Sequence, residues 1–212
     1  FFFFCFHSHA ADAGCVPQLL HPLAVRAIAA PDVDPDDPLR QTIEEKAKAQ
    51  GIPLYFIKET SQTTLGEVQL TFYEPQEGEG DANERCLSVL CALEDWQALI
   101  TGDLPAAGED LLVARKDLPD GELLVAGHHG SRTSTGQRLL EAFRPETAVI
   151  SVGHNSYGHP APETLTRLEQ AGTTVYRTDH HGRVTVTQNR EEPTWQNNAS
   201  PAPTAVRPPT ES

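Results

Sequence analysis

The 212-residue chain contains no methionine, two tryptophans and four cysteines, and its 16 Lys and Arg are outnumbered by 30 Asp and Glu. Each shortage narrows what the protein can be. A chain without Met lacks an initiator, and this one opens inside the apolar run FFFFCF, so a piece of something longer is expected. That start carries no basic region and no small-residue cleavage pattern, so it is not expected to be a secretory signal. Cys5, Cys15, Cys86 and Cys91 show neither CxxC spacing nor the density of a disulfide framework, which predicts free buried thiols. The net charge of −14 argues against broad electrostatic attraction to nucleic acid. It leaves room for a metal site that handles phosphates, because a bound dication reverses the local field. No apolar run approaches the roughly 20 residues needed to cross a bilayer. GxSxG, P-loop and post-strand GxGxxG patterns are all absent, so serine-elbow hydrolysis and nucleotide-fingerprint chemistry are set aside.

What is present is histidine in an orderly placement. Four of the nine His residues, His128, His129, His154 and His159, fall in two loops that follow the short apolar stretches LLVA and AVIS. Loops at the ends of buried strands are where α/β proteins keep their chemistry. Upstream, HSHAAD sets His7 and His9 on alternate positions after the first predicted strand, where an extended backbone points both imidazoles the same way. LITGD sets Asp103 at the end of another strand. Histidine and aspartate are the ligand set of Zn²⁺, Mn²⁺ or Fe sites. Ser131, Thr133 and Ser134 are candidates to cap the following helix. Each His also has a plainer reading, as a helix cap or a partner of a loop carbonyl.

Along the chain, apolar patterning predicts strands at Phe1–Phe6, 25–28, 53–58, 67–73, 86–93 and 96–103, with helices over 39–50, 105–115, 136–144 and 162–171. TTVYRTD and RVTVT read as a closing hairpin around HHG. The acidic PDVDPDDP reads as a solvated turn. From residue 189 the composition turns to Pro, Asn, Ser and Thr without periodicity, so the domain is expected to occupy 1–188 and a disordered tail 189–212. This order of elements licenses an α/β or α+β domain and no finer statement.

TGD, GHHGSRTS, ISVGHNSYGHP and VYRTDHHGRVTV, in that order, resemble the metallo-β-lactamase-fold domain at the C-terminus of ComEC, the DNA-uptake channel protein of competent bacteria. The resemblance implies an αββα sandwich, here missing its first strands, and a metal-dependent hydrolase of nuclease or phosphodiesterase type. It implies a cofactor of one or two Zn or Mn ions and single-stranded DNA as partner. It also implies a soluble extracytoplasmic domain whose parent chain holds a membrane channel; no protein partner is expected. Carried over by motif, Asp12, Asp103 and His128 would be catalytic. The metal ligands would come from His7, His9, Asp12, Asp103, His128, His154 and His159, and substrate contacts from His129, Ser131, Asn155 and Tyr157. One departure stands out. The superfamily's metal loop is HxHxDH, whereas this chain reads SHAADAGC, with Ala11 in place of an Asp in the ungapped register and an Asp and a His missing in the gapped one. A pseudoenzyme with a decayed metal site is therefore the alternative, and a hydrolase of small esters a third reading.

Overall fold

The structure, a computed structural model, describes residues 2–5, 16–20, 22–32, 35–74, 83–115, 118–188 and 193–197. Strand β1 (Phe2–Phe4) pairs in parallel with β2 (Ala27–Pro31), and β2 with β3 (Leu54–Ile57), giving a three-stranded parallel sheet. A second sheet holds seven strands in the order β10-β9-β8-β7-β6-β5-β4. Its members are β4 (Ser61–Leu65), β5 (Val68–Tyr73), β6 (Ser88–Leu93), β7 (Trp96–Ile100), β8 (Leu123–Val125), β9 (Thr147–Ile150) and β10 (Thr174–Arg177).

The period-two alternation of the strands assigns the layers. In β2, Ile28 and Ala30 face α1 (Val16–Leu19) and α2 (Pro38–Ala49), where Val16, Ile43 and Ala47 complete one core. Ala29, between them, turns the other way and joins Ile57, Leu70, Phe72, Leu87 and Val89 in a second core between the two sheets. The outer face of the large sheet, through Leu90, Leu99, Leu124, Ala148 and Ile150, buries α3 (Ala106–Arg115), α4 (Gln137–Phe143) and α5 (Pro162–Gln170) by way of Leu112, Leu139, Leu140, Phe143 and Leu168. Three cores between four layers make an αββα sandwich, as the resemblance implies.

Local chemistry explains most element ends. Asp37 accepts the N–H of Arg40 at the start of α2, and Pro38 stands at its first helical position. Gly51, at φ +66°, ends it. Strand β4 is polar (SQTTL) and lies at the sheet edge, where a β-strand needs no apolar face; periodicity gives no sign of it. The predicted closing hairpin is not formed. Strand β10 instead pairs in parallel with β9, a short helix α6 (Thr178–His181) carries DHH, and β11 (Val184–Gln188) pairs antiparallel with β12 (Pro193–Asn197). Strand β12 lies inside the segment expected to be tail. Among the described cysteines, Cys5, Cys86 and Cys91 form no disulfide. No helix of the described residues is long and apolar enough to cross a membrane.

Candidate metal centre

The large sheet changes character at β7, which is antiparallel to β6 and parallel to β8. From β7 through β10 the strands run the same way, so their carboxyl ends share one edge. Asp103 follows β7, His128 follows β8, His159 closes the loop after β9, and Thr178 follows β10. Strand direction alone therefore gathers residues spaced across some 75 positions of chain.

Asp103 is buried, with 8% of its surface exposed, and its backbone N–H meets Cys86 Sγ at 3.3 Å. His128 Nε2 stands 3.7 Å from Asp103 Oδ2. The His128 ring lies 5.6 Å from that of His159, nearly perpendicular to it at 77°, and 6.3 Å from that of His129. His159 is held below the ordinary histidine range, first by burial and then by the neighbouring imidazoles of His128 and His129, with Asp103 opposing them. Its neutral form, the form that ligates a metal or accepts a proton, is thereby favoured near pH 7. His129 Nδ1 lies 2.8 Å from the carbonyl of Ser151. A carbonyl only accepts, so Nδ1 carries the proton and Nε2 is left as the lone-pair nitrogen in the neutral ring.

The turn that presents these groups is strained. Gly127–Gly130 is a single 3₁₀ turn in which His128 (φ 48°, ψ 48°) and His129 (φ 53°, ψ 27°) are both left-handed, followed by Gly130 at φ +80°. Left-handed non-glycine residues cost roughly 1–3 kcal/mol each and gather where a site over-determines them. Gly130 is required twice over, by its φ and because a Cβ there would lie 2.6 Å from Cβ of Pro160. That contact, with the Ala161 N–H donating to Gly130 O at 2.9 Å, joins the two His loops.

The loop after β9 is organised by Asn155. Its Nδ2 donates to the carbonyls of Gly153 and His159 (2.9 and 2.8 Å), while its Oδ1 accepts the N–H groups of Tyr157 and His159 (3.1 and 3.0 Å). Tyr157, 83% exposed, projects from this loop with its ring 6.1 Å from His159. His129, His154, Asn155, Tyr157 and His159 line an open pocket of about 370 Å³.

Of the sequence candidates, the structure brings together Asp103, His128, His129 and His159. His154 is exposed and lines the pocket without a ring contact to His128. Ser131 is buried and its hydroxyl pairs with Thr133 Oγ1 and the Thr133 N–H, which sets it beneath the turn. The expected capping of α4 by Ser131, Thr133 or Ser134 is not formed, because the helix begins at Gln137 with Gly136 as its cap. His7, His9 and Asp12 lie outside the described residues. Sequence reasoning missed Glu109 and Arg167, both anchored beneath the His128 turn. For Glu109 there was a signal, a carboxylate three and four residues ahead of Leu112 and Val113 on the apolar face of AAGEDLLVAR.

The donor chemistry of Asp103, His128 and His159 fits a divalent cation. In number the described donors fall short, since no three His, Cys, Asp or Glu among the described residues are close enough to hold one ion.

No family model matches the chain. It is 27% identical over 183 residues to ComE operon protein 3 of Bacillus subtilis (strain 168), covering 84% of this chain and 23% of that protein. It is 36% identical over 118 residues to Competence protein ComA of Neisseria gonorrhoeae, covering 54% and 17%. Over 89 residues it is 37% identical to Recombination protein 2 of Haemophilus influenzae (strain ATCC 51907 / DSM 11121 / KW20 / Rd), covering 42% and 11%. Its relatives are competence proteins of the ComEC family. The chain spans less than a quarter of the length of these curated relatives. Among solved structures, CmlA from Streptomyces venezuelae, described as a diiron β-hydroxylase, superposes with a TM-score of 0.59 at 10% identity, covering 84% of this chain and 44% of that one. The E377D mutant of CmlA gives 0.57 at 9% identity, covering 83% and 42%. The chain thus has the metallo-β-lactamase fold.

Proposed function

We propose that this ComEC-type domain is a metal-dependent phosphodiesterase that acts on DNA during uptake. The observation that carries the reading is the Asp103–His128 pair: a buried carboxylate and an imidazole 3.7 Å apart, at the carboxyl ends of adjacent parallel strands, with His159 beside them. Kinship to competence proteins supports DNA as the substrate.

Asp103 and His128 would hold the cation, with His7, His9 and Asp12 as the donors expected from the first loop and His154 as a further candidate. A bound divalent ion supplies a water acidified to a pKa of about 7 and a Lewis acid for a phosphoryl oxygen. The chain's own groups do the rest. The neutral imidazole of His159 accepts or returns a proton at the site mouth. His129, tethered through Nδ1 to Ser151, turns Nε2 outward, and Tyr157 offers an exposed ring to a base or sugar. Asn155 keeps both Tyr157 and His159 in register.

The test is cleavage of end-labelled single- and double-stranded DNA by the purified chain in Mn²⁺ or Zn²⁺, with metal content measured in parallel. The reading expects cleavage that chelator abolishes and that falls at least 10²-fold in Asp103→Ala or His128→Ala. A chain without bound metal and without cleavage would sink it.

A second reading has its own support. The loop SHAADAGC departs from HxHxDH, and the described donors number fewer than three per ion. On this reading the fold is kept as a DNA-handling module whose metal site has decayed. Restoring the missing Asp and His would then create metal binding that the native chain lacks.

A further inference from the structure

The segment Ser131–Gly136 is neither helix nor strand, yet its backbone is saturated with partners. Five successive carbonyls are engaged: Ser131 O by Thr164 Oγ1 (2.7 Å), Arg132 O and Ser134 O by Arg167 Nη2 (3.1 and 2.8 Å), Thr133 O by the Ala106 N–H (2.7 Å) and Thr135 O by Arg167 Nε (3.0 Å). On the donor side, the N–H groups of Thr135 and Gly136 go to the two carboxylate oxygens of Glu109, at 2.8 and 2.7 Å. Thr135, itself left-handed at φ +55°, then accepts the N–H of Gly127 on its hydroxyl at 3.0 Å. Gly127 immediately precedes His128.

Glu109 is 0% exposed. Burial pushes its carboxyl up to about 7, against the opposing pull of the Gly136 and Thr135 N–H groups and of Arg167. An apolar side chain would fill that volume without the desolvation cost. It would leave two buried N–H groups unpaired, at a point where the backbone has no alternative acceptor in a helix or sheet ladder. Glutamine does not replace it either: its one oxygen satisfies one N–H and its NH₂ confronts the other.

We propose that Glu109 is a positioning residue: through Thr135 and Gly127 its carboxylate fixes the strained turn that presents His128 to Asp103. What the positioning serves rests on the metal-centre reading above; the clamp itself does not. Arg167 is its counterpart on α5, gripping the carbonyls of the same segment whose N–H groups Glu109 takes.

The test compares the full chain with Glu109→Ala, Glu109→Gln and the control Leu168→Ala, which opens a cavity in the same outer core without removing a hydrogen bond to the segment. Two readouts are used: native-state amide hydrogen exchange without metal, and Co²⁺ titration followed by visible absorption. The proposal expects exchange at residues 127–136 to rise at least tenfold more in Glu109→Ala than in Leu168→Ala, with Glu109→Gln between. It expects Co²⁺ affinity to fall 10–100-fold in Glu109→Ala, as loss of ligand-orienting partners typically does, with altered absorption bands and no such change in Leu168→Ala. Where Glu109→Ala does not fold, Glu109→Gln carries the same comparison. Exchange that rises uniformly in the Glu109 variants and the control overturns the proposal, and so does unchanged Co²⁺ affinity and spectrum in a wild type that binds the ion. Should wild type bind no Co²⁺, the metal reading falls, and the exchange data alone decide for or against the clamp.

Discussion

The turn after β8 and the loop after β9 end within one imidazole contact of each other, His128 to His159, but they are built differently. The β8 turn is short and left-handed, and the segment that follows it is held from outside by Glu109 and Ala106 of α3 and Thr164 and Arg167 of α5. The β9 loop is longer and exposed, and the amide of its own Asn155 makes the four bonds that shape it. The first arrangement couples the position of His128 to the stability of the whole outer layer. The second isolates it, so the loop can vary in shape and sequence without disturbing the core.

The sharpest way to break this contrast is at the joint. Gly130→Ala must place a Cβ at φ +80° and 2.6 Å from Pro160 Cβ. We expect a loss of about 2–5 kcal/mol in stability by denaturant unfolding, from strain and overpacking together. The next effect is a pH dependence belonging to the externally held side. The Glu109 carboxyl is raised in the folded state from 4.5 to about 7. Stability from this group is therefore fully present below about pH 4.5 and lost as pH rises through 7, with Arg167 on α5 and the adjacent Asp110 as the charges that face it. Relative to Glu109→Gln, the wild type should lose stability between pH 5 and 8, on the order of 3 kcal/mol, read as diverging melting temperatures. A profile parallel to that of the variant would show that Glu109 does not titrate there.

Asn155→Ala probes the self-held side. It should leave global stability within about 1 kcal/mol while raising amide exchange at Tyr157 and His159 at least tenfold, because the lost bonds lie within one exposed loop. A cooperative loss of the whole fold would mean the two sides are not separable. The smallest structural effect belongs to Tyr157→Ala, an exposed position expected to change stability by no more than about 0.5 kcal/mol. If the ring meets DNA, single-strand affinity should still fall by about 1–3 kcal/mol, the value of one base stacked on an aromatic ring. Equal binding by both forms would remove Tyr157 from the substrate path.

The same contrast explains what could be read in the sequence. Asp103, His128 and His159 were legible because each follows an apolar strand and belongs to a residue type with few plainer reasons to cluster. The layering came from the family resemblance, since the order of elements alone licensed no more than an α/β or α+β domain. Glu109 and Arg167 were hidden because their partners are backbone groups, which carry no residue identity. Strand β4 was hidden because an edge strand with both faces half in water has no apolar period to display. The closing hairpin was misread for the reverse reason. TTVYR and RVTVT are both good strands, but the pairing of β10 with β9 and of β11 with PTWQN depends on neighbours that sequence adjacency does not reveal.

The switch from antiparallel to parallel pairing at β7 has a further consequence. Four independent strand ends deliver four loops to one edge, and the large sheet that delivers them is assembled without the HSHAAD loop. Change in a segment outside that sheet, or in the self-held loop after β9, leaves the remaining furniture standing, so in such a scaffold reactivity can fade or be rebuilt there while the architecture persists. A chain like this can carry a first loop that departs from HxHxDH together with an orderly second half, and reinstating a few side chains would be a short evolutionary step.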